Sequence, residues 1–245
     1  MIKLSVITVT YNAEQTLERT IKSVQEQSYP FIEHIIADGN SKDNTVALIE
    51  KYSTNKTIWK SEPDKGIYDA MNKAATLASG DYLCFLNAGD TFYDSSSVEK
   101  MMAQLNENSL PDIVYGETAI VDNQGNFLYM RRLKTPEVLT WKSFKQGMVV
   151  CHQAFFIKRP LFESYNLNYR FSADFDWCIR MMKKANILFN THFTLIKYLN
   201  EGTTTANRTA SLKERYKIMS NYYGKVSTFL YHLWFIIRII IKPEK

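Results

Sequence analysis

Residues 80–90 read GDYLCFLNAGD, and residues 61–72 before them read SEPDKGIYDAMN. The apolar run Tyr82–Leu86 is typical of a buried strand in a parallel sheet, and Asp90 follows it after a short polar turn. In the earlier stretch Asp64 lies in a loop that leads into a helix. Enzymes of the α/β class place carboxylates at such strand ends to bind phosphorylated ligands, often through a metal ion.

Strands and helices alternate on both sides of these stretches. The pattern predicts, in chain order, a strand over Leu4–Thr10, a helix from Asn12 to about Gln27, a strand over Glu33–Ala37, a helix from Asp43, a strand over Thr57–Lys60, a helix over Asp69–Ser79 and the strand over Tyr82–Leu86. Four strands alternating with helices predict an α/β fold with a parallel, Rossmann-like sheet. The looser remainder predicts helices over 97–106 and 174–184, strands over 113–116 and 187–190, a turn at 122–125 between paired strands, and helices from residue 211 onward.

Length and composition indicate one α/β domain over residues 1–205 and a basic, apolar helical tail over residues 206–245. The three cysteines are widely spaced and form neither a CxxC pair nor a disulfide framework, which fits a reducing compartment. The first residues read as a strand and not as a signal peptide. We therefore expect a cytoplasmic protein.

The tail carries the positive charge of the chain. Residues 206–245 contain eight lysines and arginines and two glutamates, a net charge of +6, whereas the whole chain is +5. The apolar run at 228–242 is interrupted by Arg238 and suits a helix lying on an anionic leaflet better than a spanning helix. A helix docked on the domain or at a homodimer interface is the alternative. The aromatic residues of the tail lie among aliphatic residues rather than among lysines, so we expect no nucleic-acid partner.

The loop after the first strand lacks the glycine-rich fingerprints of nucleotide-binding folds. It reads TYNAE at residues 10–14, and neither GxGxxG nor a P-loop is present. Loops at the carboxyl ends of parallel strands converge on one crevice. Nucleotide recognition would therefore use side chains: an aromatic ring for the base, and carboxylates for the ribose or for a metal that neutralises a diphosphate.

Four segments together resemble the family 2 inverting glycosyltransferases: VITVTYN at 6–12, DGNSKDNT at 38–45, DKG at 64–66 and FLNAGD at 85–90. The resemblance covers about residues 3–200 and is strongest to bacterial enzymes of exopolysaccharide and O-antigen assembly, including the colanic-acid type. It implies the GT-A fold, a mostly parallel sheet flanked by helices, here followed by the helical tail. It also implies a nucleotide-sugar donor, usually a UDP-sugar, and a growing, lipid-linked glycan as acceptor.

The resemblance assigns roles to individual positions. Thr10 and Tyr11 match the loop that contacts the nucleotide, Asp38 matches the carboxylate that reads the base, and Asp64 matches the carboxylate at the base and ribose. Lys65 and Gly66 complete the donor-binding set, with Lys65 a candidate for phosphate. These positions are predicted to lie together at one edge of the sheet.

The metal motif of the family usually reads Asp-x-Asp-Asp and here reads Asn87-Ala-Gly-Asp90. Asp90 is therefore the single candidate ligand in this motif for Mg²⁺ or Mn²⁺, with the donor diphosphate and water completing the shell.

The Glu-Asp motif that holds the family's catalytic base is matched by SADFDW at 172–177, with Ala173 in place of the glutamate. Asp174 is the predicted base, which takes the proton of an acceptor hydroxyl as its oxygen attacks the anomeric carbon. Asp176 and His152 are weaker candidates on the acceptor side.

Each assignment has a structural alternative. Asp38 with Gly39 can form a plain turn, Asp174 can be a helix N-cap, Asp90 can cap a loop, and His152 can be a satisfied buried histidine.

Function also has alternatives. A nucleotidyltransferase would carry a glycine-rich loop after the first strand, which is missing here. A non-catalytic, membrane-peripheral scaffold that retains the fold would explain the incomplete metal motif. The chain lacks multiple spanning helices and a Gln-x-x-Arg-Trp motif, so the resemblance implies a non-processive enzyme at the inner face of the cell membrane.

Overall fold

The computed structural model describes residues 1–200 and 208–241, and within them a nine-stranded sheet is flanked by helices. The strands are β1 (Leu4–Thr10), β2 (Ile32–Asp38), β3 (Thr57–Ser61), β4 (Tyr82–Phe85), β5 (Thr91–Phe92), β6 (Ile113–Val121), β7 (Phe127–Met130), β8 (Phe155–Lys158) and β9 (Leu188–Leu199). The helices are α1 (Leu17–Gln25), α2 (Thr45–Tyr52), α3 (Ile67–Ala75), α4 (Ser97–Ala103), α5 (Ala173–Lys184), α6 (Arg208–Tyr223) and α7 (Lys225–Ile241).

The strand order is β3-β2-β1-β4-β8-β6-β9-β5, and β7 pairs with β6 off this path. The first four strands along the chain are parallel neighbours, which confirms the predicted Rossmann-like half. In the second half β8 runs antiparallel to β4 and β6, whereas β6 and β9 are parallel over a long register. Most paired positions are therefore parallel, and the predicted α/β fold class is confirmed.

The central strand β1 is buried along its whole length, and its alternate side chains serve two core layers. Ile7 and Val9 pack with residues of α3, α5 and α6, whereas Leu4 and Val6 pack with residues of α4 and of strands β6, β8 and β9. Helices α1 and α2 close the second layer over β2. The carboxyl ends of β1, β2 and β4 consequently meet at one edge of the sheet.

Helices α1 and α3 are shorter than the sequence pattern predicted. Helix α1 begins at Leu17 rather than after Asn12, whose φ of +48° is incompatible with an N-cap. Helix α3 ends at Ala75 rather than Ser79, because the Ser79 N–H donates to the Glu33 carboxylate at 2.7 Å and turns the chain into β4.

Strands β6 and β9 are longer than predicted. The pattern ended β6 at Gly116, but the strand continues to Val121, and β9 runs on to Leu199. A Cβ on Gly116 would lie 2.5 Å from Thr191 Oγ1, so this glycine permits the close approach of β9 rather than ending a strand. The predicted turn at 122–125 does join β6 to β7.

Helix α6 is docked on the α/β body through Glu214. The backbone N–H groups of Arg170, Phe171 and Ser172 donate to its carboxylate at 2.8, 2.8 and 2.9 Å. Ile218 of the same helix is fully buried in the core. The domain boundary predicted at residue 205 lies outside the described residues. In the parts of the chain that the structure describes, no helix is both long and apolar enough to cross a bilayer.

Candidate active site

The parallel register aligns three of the strand ends that the sequence singled out. Thr10 of β1 is the register partner of Asp38, and Asp38 is the partner of Ser61 at the end of β3. The Gly39 N–H donates to the Thr10 carbonyl at 2.9 Å, which continues the ladder into the loops. Tyr11, Gly39 and the loop after β3 therefore leave the sheet side by side.

Asp38 is buried and organises these loops. Its Oδ2 accepts the Ser41 N–H at 2.9 Å and the Ser61 hydroxyl at 2.6 Å, and the Ser41 hydroxyl donates to its Oδ1. The side chain is only 2% exposed. The carboxylate thus ties the turn after β2 to the end of β3, which is the structural alternative raised for it. Its Oδ2 accepts two hydrogen bonds, whereas Oδ1 accepts one and retains a lone pair for a ligand.

Gly39, Asp64 and Tyr11 form a small concave cluster. A Cβ on Gly39 would lie 2.5 Å from Asp64 Oδ2 and 3.3 Å from the Tyr11 ring, so only glycine fits between them. The Tyr11 ring is 62% exposed, an unusual state for an aromatic side chain beside a buried strand end. An exposed ring beside a carboxylate is the arrangement predicted for a base and ribose site.

Asp64 is held by its own loop. Its Oδ1 accepts the Gly66 N–H at 2.7 Å, and Gly66 adopts φ +116°, a conformation that favours glycine. The exposed Lys65 lies between them, and its N–H donates to Asp69 at 3.0 Å. The DKG segment is therefore a tight turn that presents Asp64 to one side and starts α3 on the other.

Two polar atoms at this edge are buried without a hydrogen-bond partner among the described residues. They are the Thr10 hydroxyl at the end of β1 and the Asn87 amide oxygen at the end of β4. Buried polar groups normally have a hydrogen-bond partner. Two such atoms without one, at neighbouring strand ends, indicate a place where a ligand or water supplies the missing hydrogen bonds. This observation agrees with the predicted donor contact of Thr10.

The predicted base, Asp174, lies in the first turn of α5 and is half-buried. The Tyr68 hydroxyl donates to its Oδ1 at 3.1 Å, and the Phe175 N–H donates to the same oxygen at 2.8 Å. Asp174 makes no N-cap bond, because Ser172 precedes the helix and Asp174 is already inside it. Both hydrogen bonds are to Oδ1, and among the described residues Oδ2 accepts none, so Oδ2 is available to an acceptor hydroxyl.

Tyr68 is a functional candidate that the sequence reasoning missed. It lies four residues after Asp64, so the loop that carries the donor carboxylate also delivers a hydroxyl to the candidate base. Burial raises the pKa of Tyr68 well above its usual value, and the charge of Asp174 adds to this effect. Tyr68 therefore stays protonated and can only donate. The sequence feature that could have identified Tyr68 is its position within residues 61–72, four residues after Asp64.

An aromatic cluster holds Tyr68 in place. Its ring stacks on Tyr165 with 5.5 Å between centroids, and Tyr165 stacks in turn on Trp177 at 5.0 Å. Rings packed in this way fix the direction of the Tyr68 hydroxyl. Tyr165 is fully enclosed, and its hydroxyl shares a hydrogen bond with His152.

His152 is a buried structural residue in this arrangement. It is 4% exposed, bonds Tyr165 and stacks on Phe85 at 5.4 Å. Burial lowers the pKa of His152 to about 4, although the Asp174 charge opposes the shift. The neutral, buried imidazole packs within the aromatic cluster, which favours the structural alternative for His152 over the predicted acceptor contact.

Asp176 also faces away from the candidate base. Its Oδ2 forms an ion pair with the Arg180 Nε at 2.9 Å, and its Oδ1 accepts the Tyr222 hydroxyl at 2.9 Å. One oxygen thus forms an ion pair within α5, and the other fastens α6 to α5 through Tyr222. This geometry favours a structural role over the acceptor contact predicted for Asp176.

Asp90 does not have the surroundings of a metal ligand. It is 3% exposed, its Oδ1 accepts the Leu199 N–H at 2.9 Å and its Oδ2 accepts an amide N–H of Gln153 at 2.9 Å. Burial raises its pKa to about 7, although the hydrogen bonds from Leu199 and Gln153 oppose the shift. No group of three metal-ligating side chains occurs within residues 1–200 and 208–241. The residues present do not fit a divalent ion held by the protein alone.

Arg215 of α6 is a second candidate that the sequence reasoning missed. Its guanidinium lies 5.8 Å from the ring centre of Phe175, the residue next to Asp174, and its charge acts on the Tyr68 hydroxyl. Its Nε is buried without a hydrogen-bond partner among the described residues. A cation at this position stabilises negative charge that develops near Tyr68 and Asp174. Position 215 carried no motif that could have signalled this.

A model of the domain named glycosyl transferase family 2 matches residues 5–165, which is two thirds of the chain. The match includes the strand ends at Thr10, Asp38 and Ser61 and the loop with Asp64. The chain belongs to glycosyl transferase family 2. The mostly parallel sheet with its flanking helices matches GT-A structures such as TarS, so the predicted family, fold and enzyme class are confirmed.

Curated relatives carry the same assignment. A PGL/p-HBAD biosynthesis glycosyltransferase of Mycobacterium bovis is 30% identical over 203 residues, covering 80% of this chain and 76% of the relative. The Escherichia coli protein WfgD, a UDP-Glc:alpha-D-GlcNAc-diphosphoundecaprenol beta-1,3-glucosyltransferase, is 24% identical over 244 residues, covering 98% of this chain and 94% of WfgD.

Solved structures share the fold. Residues 1–349 of S. aureus TarS in complex with UDP-GlcNAc superpose with a TM-score of 0.73 at 20% identity, covering 89% of this chain and 64% of that one. The Pyrobaculum calidifontis mannosyltransferase PcManGT in complex with GDP-Man and Mn²⁺ gives a TM-score of 0.61 at 13% identity, covering 100% of this chain and 76% of that one. Structural neighbours therefore bind nucleotide-sugars, and at least one binds a divalent metal.

Proposed function

We propose that this glycosyltransferase moves a sugar from a UDP-sugar to a hydroxyl of a growing, lipid-linked glycan in surface polysaccharide biosynthesis, with inversion at the anomeric carbon. The observation that carries the proposal is the 3.1 Å hydrogen bond from Tyr68 to Asp174. It joins the donor loop at Asp64 to the candidate base across 106 residues of chain. One short segment thereby positions both halves of a transfer reaction.

The donor half uses the cluster at the sheet edge. The base would stack on the exposed Tyr11 ring, and the ribose would meet Asp64 across Gly39, with Asp38 holding the loops. Support comes from the exclusion of any Cβ at Gly39, from the unpaired Thr10 hydroxyl, and from the UDP-GlcNAc complex of TarS. Lys65 and Gly66 shape the turn that carries Asp64.

In the acceptor half Asp174 acts as general base. Its free oxygen takes the proton of the acceptor hydroxyl while the new glycosidic C–O bond forms and the bond to the diphosphate breaks, so the nucleoside diphosphate leaves with the bonding electrons. Tyr68 holds the other oxygen in a fixed direction. A single displacement of this kind inverts the anomeric centre and uses no protein nucleophile.

The acceptor class follows from the relatives and from the tail. WfgD carries a diphosphoundecaprenol acceptor in its name. We propose a lipid-linked acceptor here too, with one sugar added per encounter. The segment 206–245 would keep the enzyme on the inner face of the cell membrane, since α7 exposes apolar side chains to solvent.

The metal requirement is open to a direct test. Because Asp90 is already engaged by Gln153 and Leu199, a Mg²⁺ or Mn²⁺ ion would be held chiefly by the donor diphosphate.

Calorimetric titration of the full chain with UDP, with and without Mn²⁺, tests the donor site. We expect binding in both conditions. In the Gly39→Ala variant, the added Cβ would displace Asp64, so affinity should fall about tenfold, equivalent to about 1.4 kcal/mol. The melting temperature of the variant serves as the folding control. Absence of UDP binding in both conditions would contradict the transferase proposal and favour the non-catalytic scaffold.

Replacing Tyr68 by phenylalanine tests the link to the base. The ring and its stacking on Tyr165 are kept, and only the hydrogen bond to Asp174 is lost. We expect kcat to fall about tenfold with the KM for the donor unchanged, since the hydroxyl orients the base and does not bind the nucleotide. Steady-state kinetics across a range of donor concentrations provides the measurement. A rise in donor KM at constant kcat would mean that Tyr68 belongs to the donor site instead.

A further inference from the structure

Helix α7 exposes an apolar stripe to solvent. Six side chains at helical spacing share one face and are 42% to 76% exposed: Val226, Phe229, Leu230, Leu233, Trp234 and Ile237. The opposite face, with Tyr231 and Phe235, packs against the core. An amphipathic helix normally points its apolar face inward, so this outward stripe needs a partner.

Strand β7 is exposed in the same way. Its four residues, Phe127 to Met130, are all apolar and 42% to 58% exposed, although neighbouring side chains of a strand point to opposite faces. The strand pairs with β6 and with no other described strand. An exposed apolar strand of this kind is a contact surface or an aggregation hazard.

The tertiary structure brings these two elements together. The Arg132 guanidinium, two residues after β7, donates to the Arg238 carbonyl in α7 at 3.2 Å. Just before α7 begins, the hydroxyl of Tyr223, the last residue of α6, donates to the Trp141 carbonyl at 2.6 Å, and the two rings stack at 5.5 Å. The segment after β7 therefore contacts the chain near both ends of α7. We call the exposed apolar side chains of β7 and α7 the docking surface.

The charge around the docking surface is predominantly positive. Residues 131–145 contain five lysines and arginines and one glutamate, and residues 225–241 contain no acidic residue. Lys134 and Lys142 are exposed in this segment. Apolar and aromatic side chains with a basic rim match the interface of an anionic bilayer. In a two-fold dimer the same basic rim would face itself, which opposes association of two copies.

We propose that β7 and α7 together form a single surface that rests on an anionic lipid bilayer. The proposal rests on the proposed function, because a lipid-linked acceptor is presented at that bilayer. Two contacts on separate elements define a plane, whereas one helix alone would leave the enzyme free to rotate about the helix axis. The docking surface thus fixes how the Asp174 site meets an acceptor that is anchored in the membrane.

Vesicle sedimentation of the full chain tests the docking surface. The probes are vesicles of equal phosphatidylglycerol and phosphatidylcholine, and vesicles of phosphatidylcholine alone. One variant pair removes apolar contacts from α7, Leu230→Gln with Trp234→Gln, and another does so on β7, Leu128→Gln with Met130→Gln. The matched control, Ile58→Gln with Leu167→Gln, alters side chains that are 41% and 50% exposed elsewhere.

We expect the α7 pair to lower partitioning onto anionic vesicles at least tenfold and the β7 pair to lower it severalfold. The control pair and wild type should bind alike, and binding to neutral vesicles should be weaker for all. If the β7 pair binds anionic vesicles as well as wild type does, β7 is not part of the docking surface and the shared surface is overturned. If the α7 pair binds them as well as wild type does, the whole proposal is overturned. If the wild-type protein does not bind vesicles but sediments as a dimer, and the variant pairs dissociate that dimer, the surface is an interface between copies. UDP titration of the same variants separates these outcomes from failure of the donor site.

Discussion

Replacing Asp174 by asparagine is expected to lower kcat for sugar transfer by about 100-fold to 10,000-fold, the usual contribution of a general base. Asparagine preserves the shape of the side chain and can still accept the Tyr68 hydrogen bond that is seen at 3.1 Å. It cannot take a proton from the acceptor hydroxyl. The measurement is single-turnover transfer at saturating donor, which excludes product release from the observed rate.

UDP affinity is the control for the Asp174 variant. It should match wild type, because the donor cluster of Tyr11, Gly39 and Asp64 makes no contact that passes through Asp174. Full transfer activity in the variant would show that another group is the base, even with the fold and the donor site correct. Loss of both activity and UDP binding would indicate that Asp174 supports the fold instead.

Replacing Glu33 by alanine is expected to destabilise the protein by about 1–3 kcal/mol, the cost of leaving buried hydrogen-bond donors without an acceptor. Its carboxylate is 6% exposed and gathers the Lys3 ammonium at 2.6 Å, the Ser5 hydroxyl at 2.5 Å and the Ser79 N–H at 2.7 Å. These contacts hold β1, β2 and the turn before β4 together. Without the carboxylate, several buried donors lose their acceptor. Denaturant unfolding of both proteins gives the difference.

The effect of Glu33 should depend on pH in a defined direction. Burial alone would raise the pKa of Glu33, but the hydrogen bonds from Lys3, Ser5 and Ser79 outweigh it and hold the pKa at about 2. A glutamate in the unfolded chain titrates near about 4.3. The stabilisation is therefore complete above about pH 5 and is lost as the pH falls toward 2. The gap in unfolding free energy between wild type and Glu33→Ala should narrow over that window, and a constant gap would contradict this account.

Local patterns in the sequence were sufficient for the first half of the fold. Strands β1, β2 and β4 are short apolar runs bounded by polar turns, and these features depend on residues that are neighbours in the chain. The donor motif was legible for the same reason, since DKG and DGNS are compact turns with their own hydrogen bonds. Strand lengths in the second half were not legible, because Gly116 resembles a strand end until β9 is packed against it.

The sequence by itself determined the fold class, the family and the carboxylates that cluster at the donor edge. The tertiary structure decided what each carboxylate does. It joined Asp174 to Tyr68, tied Asp176 to Arg180 and Tyr222, and enclosed Asp90 beside Gln153. It also placed Arg132, two residues after β7, against Arg238 of α7, 106 residues away in the chain. The physical reason is that burial, ionisation and hydrogen bonding of a side chain depend on neighbours supplied by distant segments, and no local pattern specifies those neighbours.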